Sequence, residues 1–80
     1  MRRDEWLAEF AEKLGVDPPS KEEVVALLDI AATAAHSSER TAAPIACWLA
    51  GRTDLSLEEL KAMAESVAPE GERQPDDQRA

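Results

Sequence analysis

Thr41-Ala42-Ala43-Pro44-Ile45-Ala46-Cys47-Trp48-Leu49-Ala50-Gly51 is the stretch on which the fold turns. It carries no charge, and Pro44 fits only the first turn of a helix, where its missing N–H costs little. A helix that is apolar on all sides belongs in an interior or against a partner. The expectation is that this helix is central and that the others pack around it. Trp48 then reads as a core residue, with an interface anchor as the alternative. Cys47 reads as a small buried hydrophobe rather than a reactive thiol, because no cation is close to it in sequence.

Upstream lies a longer helix. Ser20-Lys21-Glu22-Glu23 has the S-x-x-E capping-box pattern. From there the helix reaches at least His36, and Arg40 if Ser37 and Ser38 do not break it. Val24, Leu27, Leu28, Ala31 and Ala35 share one expected apolar face. Further upstream, Asp4 to Leu14 places Trp6, Leu7, Phe10, Ala11 and Leu14 in one arc, with Asp4 as N-cap and Gly15 as the stop. Pro18 and Pro19 keep these two helices apart. Downstream, Ser56 and Glu59 form a second capping box, with Leu55 and Leu60 as a hydrophobic staple across it. Leu57, Leu60, Met63, Ala64 and Val67 make the apolar face, and Pro69 ends the helix. No alternating apolar and polar run marks a strand. The expected fold is thus all-α, a compact bundle of four short helices over residues 1–68. Residues 69–80 hold no large apolar side chain and are expected to form a disordered acidic tail.

Composition narrows the function. The chain has 80 residues and a net charge of -8, which suits one small domain and disfavours a nucleic-acid binder. No apolar run approaches the roughly 18 residues of a membrane span, and no signal-peptide core follows the first residues. A soluble cytoplasmic protein with no membrane or nucleic-acid partner is expected. One cysteine and one histidine are too few for a zinc site within one chain, so neither metal nor cofactor is expected. The many alanines add little buried area, so stability should be modest unless the chain dimerises.

One polar group stands out. On the second helix Asp29, Thr33 and His36 fall on one stripe, and Arg40 joins them if the helix extends that far. The stripe reads first as a solvated face, or as an ion pair that docks the next helix. The alternative is an anion or cofactor site, with Arg40 as a forked donor and His36 and Thr33 adding hydrogen bonds. Catalysis would need a nucleophile or base beside His36, and Ser37 and Cys47 are not fixed within its reach. The string Asp54-Leu55-Ser56-Leu57 approaches the Asp-Ser-Leu motif of acyl carrier proteins, but its serine is one position late and is explained as a cap. A helix-turn-helix reader would expose Glu58, Glu59 and Glu65 to phosphate, which they repel.

Leu27-Leu28-Asp29, Ala35-His36, Glu39-Arg40 and Ala42-Ala43-Pro44, with Trp6-Leu7 and the turn Leu14-Gly15-Val16-Asp17-Pro18, carry a family resemblance. Together they resemble a small actinobacterial helical domain of unknown function. That domain occurs alone or fused behind a nucleotidyltransferase-like domain for molybdopterin-guanine dinucleotide synthesis. The resemblance implies a setting near molybdenum cofactor maturation. It does not imply the transferase activity, because the phosphate-binding glycine loop is absent. The reading that follows is a non-catalytic accessory or interaction domain. It would bind a molybdenum cofactor pathway enzyme, or a second copy of itself, with Asp29, Thr33, His36, Arg40, Pro44 and Trp48 as the candidate ligand- or partner-binding residues.

Overall fold

Four α-helices occupy residues 1–67, the part of the chain that the computed structural model describes: α1 (Arg3–Leu14), α2 (Lys21–Ser37), α3 (Ala42–Ala50) and α4 (Leu57–Val67). No strand occurs among these residues, so the fold is the expected all-α bundle. The expected disordered tail (69–80) and the stop at Pro69 lie outside the described residues. No helix among the described residues is long and apolar enough to cross a membrane.

Short-range chemistry sets the helix ends. The Ser20 N–H donates to Glu23 Oε1 at 2.8 Å, and the Glu23 N–H donates to Ser20 Oγ at 3.1 Å. Ser56 and Glu59 repeat the same pair at the same two distances. Each box satisfies two N–H groups that a helix start leaves without partners. Gly15 closes α1 with φ 78°. Its N–H bonds to the Glu12 carbonyl at 3.1 Å and that of Val16 to the Ala11 carbonyl at 3.0 Å, the Schellman arrangement. Asp4 is not the N-cap of α1. The N-cap is Arg2, two residues earlier: the Glu5 carboxylate reaches back to the Arg2 N–H at 3.0 Å, while Asp4 pairs with Arg3 at 2.9 Å.

The centre of the bundle is α2, not α3. On one side of α2 lies α3, with the Cys47 thiol 3.8 Å from the Leu27 carbonyl. On another side lies α4, where Lys61 meets Asp29. Leu7 and Ala8 of α1 border a cleft with Pro18, Pro19, Val24 and Val25 at the start of α2. Among the described residues the buried ones are Ala11, Ala26 and Ile30, and Ile30 is only 3% exposed. Ala26 and Ile30 lie outside the expected apolar face, while Leu28, which belongs to it, is half exposed. The reason is geometric. Two neighbours meet α2 from different sides, so the stripe between them is buried rather than the most apolar one.

Three further expectations fail for the same reason. Trp6, Phe10 and Leu14 of α1 lie open to solvent, as do Met63 and Val67 of α4. Trp48 is 62% exposed and is no core residue. A flanking helix covers one side only, and α3 turns its small residues inward.

Candidate functional site

The polar stripe on α2 survives in part. Asp29 and His36 are exposed and Thr33 is half-buried along one side of the helix. Arg40 is not on that stripe. At Ser38 the backbone leaves the helix with φ -141° and ψ -96°. There the Ser38 N–H and hydroxyl both donate to the Ala34 carbonyl, at 3.1 and 2.9 Å. The hydroxyl shares the carbonyl that the ordinary helical bond uses, a local side-chain bond of the kind that competes with continuing a helix. Arg40 falls in the tight turn before α3, where its carbonyl accepts the Ala43 N–H at 3.1 Å. Among the described residues neither His36 nor Arg40 takes part in an ion pair.

Asp29 has a different partner. Lys61 Nζ of α4 lies 3.5 Å from its Oδ2. Lys61 sits among Leu57, Leu60 and Ala64 on the half-buried side of α4. Lys61 lays its stem along this side and carries its ammonium out to Asp29, a pairing between two helices that spacing along either one does not reveal. The pair makes Asp29 a docking residue for α4. Cys47 is half-buried, and burial pushes its thiol pKa up, so the thiol stays protonated and is a poor nucleophile. Among the described residues no three His, Cys, Asp or Glu side chains converge into a metal-ligand set.

The outer face of α3 is the most unusual surface. Ala42, Ala43, Ala46, Cys47 and Ala50 point inward and are half-buried. Pro44, Ile45, Trp48 and Leu49 point outward, the last three 54–62% exposed. Small residues let α3 approach α2 closely, and every bulky apolar group is left facing solvent. An open groove of ≈ 430 Å³ runs along this face past Ala42, Ile45, Ala46 and Leu49, with Ser38, Glu39 and Thr41 at its end. Beside it the Arg52 guanidinium lies 4.8 Å from the centroid of the Trp48 ring. The turn after α3 holds Arg52 there: its N–H bonds to the Leu49 carbonyl at 3.0 Å, and the Thr53 hydroxyl to the Ala50 carbonyl at 3.0 Å. Stacking of this kind orients the indole and keeps it extended over the surface. A second exposed set lies on α1, where the Trp6 and Phe10 rings meet at 5.0 Å with an interplanar angle of 37°. Of the residues expected to bind, the structure thus gathers Pro44 and Trp48 on one face. Asp29, Thr33 and His36 lie on another helix, and Arg40 stands in the turn between.

A family model described as a domain of unknown function (DUF6457) matches residues 1–72. No curated protein and no solved structure matches the chain.

Proposed function

The chain belongs to the DUF6457 family of domains of unknown function, and on that premise we propose that it is a small non-catalytic interaction domain that docks proteins on the outer face of α3. One observation carries this reading: α3 turns its small residues inward and leaves Ile45, Trp48 and Leu49 more than half exposed. Trp and Arg are enriched at binding hot spots, and here Trp48 carries Arg52 beside it. Contiguous apolar surface of this kind marks interaction sites more often than ordinary surface. The resemblance to an actinobacterial domain fused to molybdopterin-guanine dinucleotide synthesis supports a partner in molybdenum cofactor maturation, in the cytoplasm. The acid excess of the chain speaks against nucleic acid as partner. An anion site on α2 stands second, because Asp29 is engaged by Lys61 and Arg40 lies off the stripe.

The test is a titration of the chain with a purified molybdopterin-guanine dinucleotide transferase, read by hydrogen exchange. A complex should protect the amides of residues 42–52, and Trp48→Glu should weaken it at least about tenfold. Absence of a complex overturns the assignment to that pathway. A complex that protects other residues and tolerates Trp48→Glu overturns the α3 surface.

A further inference from the structure

Among the described residues two apolar faces lack a cover, and their sizes bear on what covers them. On α3, Ile45, Trp48 and Leu49 leave on the order of 400 Å² open, and on α1, Trp6, Phe10 and Leu14 leave about 350 Å². Residues 68–80 hold no apolar side chain larger than alanine or proline, so that segment is unsuited to fill either face. We propose that a second copy of the chain is the occupant, with α1 of each copy lying along the outer face of α3 of the other. This rests on the reading of α3 as a docking face, for which a second copy and a pathway enzyme compete.

Area decides between the ways two copies can meet. Pairing α3 with α3 would bury about 800 Å² in total and pairing α1 with α1 about 700 Å², both below the roughly 1,200 Å² at which specific interfaces begin. Reciprocal pairing of α1 with α3 uses both faces twice and reaches about 1,500 Å², the standard size. It also closes on itself through a two-fold axis, whereas a one-way contact would propagate into an open chain. Spacing agrees. Trp6, Phe10 and Leu14 repeat every four residues along one side of α1, and Ile45 and Leu49 stand four residues apart on α3. Charge agrees as well. Two copies at -8 each repel, and α3 is the one helix of the four without charge, so contact there meets the least repulsion. A 12-residue helix such as α1 is marginal on its own in water, so docking its aromatic side also stabilises its helical form.

The experiment uses the full chain and two variants, Phe10→Glu on α1 and Trp48→Glu on α3, in sedimentation and native mass spectrometry. Both positions are about half exposed or more, so helicity by circular dichroism should be kept; Phe10→Ala and Ile45→Ala repeat the comparison with milder changes. The wild-type chain should form a closed dimer, and each variant alone should associate at least about tenfold more weakly. The double variant should associate no more strongly than either single one. A monomeric wild type, an open polymer, or a Phe10→Glu or Trp48→Glu chain that dimerises as well as the wild type would each overturn the proposal. A monomeric wild type that still docks a transferase through Trp48 would overturn this inference alone and leave the reading of α3 in place.

Discussion

Lys61 Nζ of α4 lies 3.5 Å from Asp29 Oδ2 of α2, and this pair joins the last helix to the central one. The Lys61 side chain is 33% exposed and that of Asp29 57%, so water screens the pair. Its coupling should be about 0.2–1 kcal/mol, measured by a urea double-mutant cycle with Asp29→Asn and Lys61→Met. Salt should reduce the coupling, and Lys61→Met should cost little, because its stem already packs among Leu57, Leu60 and Ala64. A coupling near zero would remove Asp29 from the docking of α4.

Ile30 and Trp48 should answer oppositely to truncation. Ile30 is 3% exposed, so Ile30→Ala should cost about 2–5 kcal/mol, a large share of the stability of so small a domain. Trp48→Ala should change the stability of the dilute chain by no more than about 0.5 kcal/mol. Thermal unfolding of both variants at low protein concentration compares them directly.

The capping box of α4 gives the chain a pH response. The Ser56 backbone N–H, and then its hydroxyl, hold the Glu59 pKa below its usual value. A carboxylate with a lowered folded-state pKa stabilises the fold fully above its unfolded pKa. That contribution is lost as pH falls through the folded one. Helicity by circular dichroism should therefore fall as pH drops through and below the ordinary carboxylate range. Glu59→Gln keeps a cap acceptor without the titration, so it should flatten the part of that response that belongs to α4. An unchanged profile would assign the acid sensitivity to other groups.

The glycines that end α1 and α3 look alike in sequence and should behave differently. Gly15 has φ 78° and open space where a Cβ would stand, so Gly15→Ala should cost about 1 kcal/mol through backbone strain alone. Gly51 has φ -68°, and an added Cβ would meet the Trp48 and Cys47 carbonyls at 3.5 and 3.6 Å, ordinary contact. Gly51→Ala should stabilise the chain by about 0.4–1 kcal/mol by restricting its unfolded state. Denaturant midpoints of the two variants should move in opposite directions.

The amino-acid sequence alone determined the local grammar of this protein. Ser20 with Glu23, Ser56 with Glu59, Gly15 and the Pro18–Pro19 pair mark helix ends through bonds and strains that span no more than five residues, so their partners stand beside them in the chain. The sequence also placed Asp29, Thr33 and His36 on one stripe, since spacing along a helix settles that. Tertiary structure alone decided which stripes are covered. Apolar side chains on α1, α3 and α4 form faces that any neighbour could bury, and a periodicity does not say from which side the neighbour comes. Once α2 took α3 on its Leu27 side and α4 on its Asp29 side, Ala26 and Ile30 went inside. The small side of α3 could approach most closely, and Trp48 was turned out to solvent with Arg52 stacked upon it.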